Sequence, residues 1–118
     1  MLTWPPAVRV FVHTPPTDMR RGFDRLACMV QEILHQDPLS GHLFVFVNRR
    51  GDRMKILFWD RSGFALFYKR LEEGVFHLPA EDEGGVEIDV PRLTLILEGL
   101  DLSEARQHKR FCRPIGVT

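Results

Sequence analysis

The sequence predicts a single α+β domain, a small and mostly antiparallel sheet with one long amphipathic helix packed on a face and a shorter C-terminal helix. Three observations predict it. Apolar residues recur at helical spacing over residues 23–34. Three β-rich runs follow between residues 43 and 71, divided by two polar, glycine-containing turns. The 118 residues fit one domain and leave little room for a second. The domain is expected to span residues 1–118, with its core over about 8–101 and a basic tail over about 102–118. At 44% hydrophobic residues, with nine Phe and two Trp, the chain can build a core without a disulfide or metal staple. That composition also argues against disorder.

After Pro5-Pro6, the run Val8-Arg9-Val10-Phe11-Val12 is β-branched and apolar and reads as a short strand that Pro15-Pro16 ends. Asp18 is a candidate N-cap for the next element, with Gly22 leaving the start open by a turn. Phe23, Leu26, Ala27, Val30, Ile33 and Leu34 then keep the i, i+3, i+4, i+7 spacing of one buried stripe, and Arg21, Arg25, Gln31 and Glu32 fall to solvent. Asp37-Pro38 and Ser40-Gly41 close the helix with turn chemistry. Strands are expected over 43–47, 54–59 and 64–71, joined by Asn48-Arg49-Arg50-Gly51-Asp52 and by Asp60-Arg61-Ser62-Gly63. Residues 75–79 read as a further short strand and 80–85 as an acidic loop. Val86-Glu87-Ile88-Asp89-Val90 alternates like an edge strand. Pro91 suits the first turn of a helix lined by Leu93, Ile96 and Leu97, which Gly99 stops. Ser103 is placed to cap a last basic turn holding Arg106, His108, Lys109, Arg110 and Arg113.

If both turns leave four-residue loops, Asn48 faces Arg53 and Trp59 faces Phe64, and the period of two sorts the side chains. One face collects Leu43, Val45, Val47, Met54, Ile56, Phe58, Ala65, Phe67 and Leu71, and is expected to pack on the helix of residues 23–34. The other collects Phe44, Phe46, Arg53, Lys55, Leu57, Trp59, Phe64, Leu66, Tyr68 and Arg70, mixing aromatics with cations.

The formal net charge is zero, so no global field draws the chain to nucleic acid or anionic lipid. Its distribution is uneven: residues 1–74 carry 11 Lys and Arg against 8 Asp and Glu, and residues 75–118 carry 5 against 8. Any polyanion site is therefore a local patch. Cys28 and Cys112 lack CxxC spacing and read as reduced thiols of a cytosolic protein. No apolar run approaches the roughly 20 residues of a spanning helix, and the N-terminus has no signal-peptide pattern. A cytoplasmic protein with no membrane partner is expected.

At Asp18-Met19-Arg20-Arg21-Gly22-Phe23-Asp24 the chain resembles the DMRKGFDGL opening of the short accessory protein TnpB of the insertion sequence 66 family. Residues 36–46, ending Ser40-Gly41-His42-Leu43-Phe44-Val45-Phe46, resemble that family's DPFSGHLFVF block. Residues 49–60 resemble RRGDRIKILYWD, and Gly63-Phe64, Tyr68-Lys69-Arg70-Leu71-Glu72 and Gly74 complete the pattern. Leu97-Glu98-Gly99-Leu100-Asp101 resembles the ending LLEGID, so the likeness spans about residues 8–101. The large RNA-guided nuclease that shares the name TnpB is a different protein, far longer and with a cysteine-rich zinc segment absent here. The resemblance implies a helper in transposition, working beside a separate transposase and other accessory proteins of the same element. It supplies a process without a chemistry.

Three kinds of action fit the residues. The first is contact with element DNA through Arg49, Arg50, Arg53, Lys55, Lys69 and Arg70, which would neutralise phosphates. Phe44, Phe46, Trp59 and Tyr68 would then stack on bases or form an interface. The duller alternative buries Phe44, Phe46, Leu57, Trp59 and Leu66 under the C-terminal helix and leaves the cations snorkelling at the rim. The second is a protein-binding module, facing the transposase, another accessory subunit or a second copy of the chain, since the same face has the composition of an interface hot spot. The third, catalysis, fares poorly. Metal-assisted strand transfer needs convergent acids, whereas turns and caps account for Asp18, Asp24, Asp52, Asp60 and Glu72. His13, His35, His42, His77 and His108 show no ligand spacing and are expected at the surface or rim. No enzyme activity, metal or cofactor is expected.

Overall fold

The structure is a computed structural model and describes residues 7–80 and 85–100. The basic tail, residues 1–6 and most of the acidic loop lie outside the described residues. The elements run β1 (Val10–His13), α1 (Phe23–Glu32), β2 (Leu43–Val47), β3 (Arg53–Trp59), β4 (Phe64–Arg70), β5 (Val86–Ile88) and α2 (Val90–Leu97). They form the α+β arrangement expected, a five-stranded sheet ordered β4-β3-β2-β1-β5 with two helices. β1 pairs with β2 in parallel and α1 lies between them in the chain, while the other three pairings are antiparallel. β1 and β2 are buried along their whole length, although β1 ends on His13.

Both hairpins adopt the expected register. Asn48 bonds across to Arg53 and Trp59 stands opposite Phe64. The two faces therefore sort as the alternation predicts. Their covering helices are exchanged, however. The apolar face, with Val45, Met54 and Ile56, packs under Leu93 and Ile96 of α2 and under Phe76. The aromatic face, with Phe44, Phe46 and Leu57, packs under Leu26, Met29, Val30 and Leu34 on or next to α1. A crossover between adjacent parallel strands has a fixed hand, so the parallel β1–β2 pairing decides which face receives the crossover helix. That pairing leaves no mark in local sequence.

Helix α1 has ten residues and is not the long helix expected. Gly22, extended, precedes it without a side-chain cap. Asp18 is used one turn earlier, its carboxylate accepting from the Arg20 N–H at 2.9 Å, so residues 18–21 close a separate turn. At the other end the Leu34 N–H bonds back to the Met29 carbonyl and His35 takes a φ of 55°, which stops the helix. α2 begins on Asp89, whose carboxylate accepts from the Arg92 N–H at 2.9 Å, with Pro91 in the first turn. It ends on Gly99 at φ 79°, where Gly99 bonds to Ile96 and Leu100 to Leu95 in a Schellman pattern. Residues 75–79 make no strand. Phe76 is buried and donates its N–H to the Gly51 carbonyl at 2.7 Å, so the segment is tied to the β2–β3 turn instead of to the sheet.

Candidate functional site

The β2–β3 turn is built by Asn48. Its N–H donates to the Arg53 carbonyl at 3.1 Å, its Oδ1 accepts from the Arg53 N–H at 3.0 Å, and its Nδ2 donates to Asp52 at 2.8 Å. Gly51 turns the chain at φ 80° and donates to the Asn48 carbonyl. The Asn48 amide, helped by the charges of Arg50 and Arg53, holds the Asp52 carboxyl below its ordinary value. At the apex Arg49 and Arg50 are exposed and, among the described residues, have no carboxylate partner.

The loop before α1 approaches this turn, held by the Thr17 N–H donating to the Val47 carbonyl at 2.7 Å. Between them lies a cleft of about 520 Å³, lined by Pro16, Thr17, Asp18 and Met19 on one side and Asn48, Arg49, Arg50, Asp52 and Arg53 on the other. Both lining carboxylates are occupied. Asp18 is bound by the Arg20 guanidinium at 2.7 Å, and that hydrogen bond holds its carboxyl down at about 2. The sequence marks Asn48 as a turn residue and Asp18 as a candidate helix cap, and does not show that their loops face each other.

The six predicted cations separate. Lys55 is buried in β3, donating to the Met19 carbonyl at 2.6 Å and the Arg21 carbonyl at 2.9 Å, with its Nζ 4.9 Å from the centre of the Tyr68 ring. It holds the loop before α1 against the sheet and is not presented to a ligand. Lys69 donates to the Leu97 carbonyl at 2.7 Å, a cation at a helix C-terminus where the dipole favours it. Arg70 pairs with Glu72 at 2.9 Å in solvent. Arg53 donates to the Tyr68 hydroxyl at 3.2 Å and also lines the cleft. Arg49, Arg50 and Arg53 are thus brought together, while Lys55 and Lys69 are drawn into structural roles.

The predicted aromatics separate too. Phe44 and Phe46 have no exposed surface and cannot stack on a base, because α1 covers them. Trp59 is half-buried and meets Phe64 edge-on at 5.1 Å. Tyr68 is 48% exposed and stands beside Arg53 and Lys55.

His13, expected at the rim, is buried, since β1 carries it into the sheet opposite Phe46. His42 accepts the Arg9 N–H on Nδ1 at 3.0 Å. Cys28 is exposed, and its hydrogen bond with Glu32 raises its thiol pKa. Among the described residues no group of three or more His, Cys, Asp or Glu is placed to hold a metal, and no helix is long and apolar enough to cross a membrane.

Fold and site together define a small α+β protein whose most accessible chemistry is a basic hairpin apex beside a shallow cleft. The chain belongs to the family of IS66 Orf2 like proteins, whose profile matches residues 8–107. The family is one of transposition-associated accessory proteins. Two relatives from Sinorhizobium fredii (strain NBRC 101917 / NGR234) extend the likeness. The uncharacterized protein y4hO is 45% identical over 94 residues, covering 80% of this chain and 82% of its own. The uncharacterized protein y4jC is 36% identical over 110 residues, covering 93% of each. No solved structure matches the chain.

Proposed function

We propose that the protein assists transposition without catalysing it, by holding the phosphate backbone of element DNA with the arginines of the β2–β3 apex. One observation carries this reading. Arg49 and Arg50 stand exposed and, among the described residues, form no salt bridge, on a turn braced by Asn48, with Arg53 at the adjoining cleft. Guanidinium groups are matched to phosphate oxygens, and a braced turn loses little entropy on binding. The resulting affinity is local, modest and sequence-independent, in keeping with zero net charge. Tyr68 supplies a ring beside the same edge. On this reading the protein acts in the cytoplasm with the transposase and other accessory proteins of its element, and needs no cofactor.

The test is binding of the full chain to a labelled fragment of the element's terminal repeat, with a shuffled fragment as control, over a range of salt. The expected result is affinity that falls steeply with salt. Replacing Arg49, Arg50 and Arg53 together by alanine should lower the slope of log K against log salt by about 2–3, roughly one per lost contact. Preference for the true repeat would add end recognition. If neither fragment binds at low salt, DNA contact by this protein is wrong. The half-exposed Tyr68 and its arginine neighbours would then act as a hot spot for the transposase.

A further inference from the structure

The two edges of the sheet differ. β5 is three residues long and carries Glu87, which binds Arg9 at 2.8 Å, and a short, charged edge resists pairing. β4 runs for seven residues without proline or glycine, and Phe64-Ala65-Leu66-Phe67-Tyr68 within it bears no charge. Lys69, the residue type that usually blocks such an edge, is folded back onto the Leu97 carbonyl. Among the described residues no main-chain hydrogen bond reaches the outer side of β4.

The alternation of the ladder shows what that side offers. Asp60 bonds to Gly63 and Leu71 to Asp52, so Ala65, Phe67 and Lys69 turn their N–H and C=O groups toward β3. Phe64, Leu66, Tyr68 and Arg70 turn theirs outward. We propose that a second copy of this chain pairs with this edge, antiparallel and two-fold symmetric, in the register centred on Phe67. That register sets Leu66 against the partner's Tyr68 and Phe64 against the partner's Arg70, so every outward amide and carbonyl in β4 finds a mate. On the other face it sets Phe67 against the partner's Phe67 and Ala65 against the partner's Lys69. Symmetry and charge select the arrangement. A parallel pairing needs a one-residue offset that no two-fold axis supplies, and an antiparallel register centred two residues later would put Lys69 beside Lys69; like charges directly opposite are destabilising. The register on Phe67 separates the cations to opposite ends and places each Arg70 over an aromatic ring. This dimer stands independently of DNA contact.

Sedimentation of the full chain across a concentration series tests it. A species of twice the 13.7 kDa chain mass is expected. Leu66→Pro removes an outward amide hydrogen without touching the β3 ladder, and should give a folded monomer. Phe64→Arg should weaken the dimer by facing the partner's Arg70, and Phe64→Glu should strengthen it. With Cys28→Ser and Cys112→Ser in place, Phe67→Cys puts two thiols at the two-fold axis. There the Cα atoms of a non-hydrogen-bonded pair stand about 4.5 Å apart, and mild oxidation should cross-link the dimer. A monomer at every concentration overturns the proposal. So does a dimer that ignores the Phe64 substitutions and does not cross-link through residue 67.

Discussion

Lys55 stands in the middle of β3 with only 8% of its surface exposed, its ammonium held by the Met19 carbonyl at 2.6 Å and the Arg21 carbonyl at 2.9 Å. Replacing it by methionine keeps most of the stem volume and removes the charge. A hydrogen bond from a charged group contributes about 1.5–3 kcal/mol, and a carbonyl left unpaired in a part-buried place costs about 1–3 kcal/mol. Release of the ammonium from its desolvated site returns part of this, since burying a charge is itself costly. We expect a net loss of about 2–4 kcal/mol. For a domain near 100 residues each kcal/mol moves the melting temperature by about 4–8 °C, so Lys55→Met should melt roughly 8–32 °C lower. Urea unfolding should show a lower midpoint with an unchanged m-value, the sign of lost stability rather than altered compactness. The salt slope of DNA binding should not change. A variant that melts with the parent but loses about one unit of salt slope would make Lys55 a phosphate ligand and refute its role as a strut.

Two further substitutions probe the surroundings of the cleft and the start of β5. Asp18, held at about 2 against an ordinary 3.8 by its hydrogen bond with Arg20, binds its proton less readily folded than unfolded. Its contribution to stability is therefore present above about pH 4 and lost as pH falls through about 2. Asp18→Asn should be less stable than the parent at neutral pH and converge with it near pH 2, and an NMR titration placing this carboxyl near 3.8 would refute the pairing. Gly85 has a φ of 99°, and a Cβ there would stand 2.9 Å from the Val12 carbonyl oxygen and 2.5 Å from a Leu34 methyl. Leu34 can turn aside and the backbone oxygen cannot. Gly85→Ala should cost about 2–4 kcal/mol in urea unfolding, the backbone strain alone being about 1–3 kcal/mol. Stability equal to the parent's would mean that the close approach does not occur.

Much of the fold was legible in local pattern. Helical spacing located α1, alternation and turn residues located β2, β3 and β4, and Pro91 with Gly99 bracketed α2. Turn length alone set both hairpin registers, because side chains alternate strictly and a one-residue slip would turn every apolar residue to the wrong face. The site was harder to read. The exposure of Arg49 and Arg50 was legible because an apex between paired strands must project outward. Lys55 was misread, since its position in β3 placed it correctly on the aromatic face but could not announce the carbonyls of Met19 and Arg21 above it. The same holds for Phe44 and Phe46, whose face was right and whose exposure was not.

By itself the sequence determined where the seven elements lie, though not the length of α1 or the absence of a strand over 75–79, together with the two faces of the sheet and the family to which the chain belongs, since these reside in short-range periodicity and contiguous motifs. Only the tertiary structure decided which helix covers which face, which cations become struts, and that the Asp18 loop meets the β2–β3 apex across a cleft. These follow from the parallel pairing of β1 with β2, a contact between residues more than 30 positions apart. Whether a lysine binds phosphate or a carbonyl depends on what lies above it, and spacing along one strand carries no record of that.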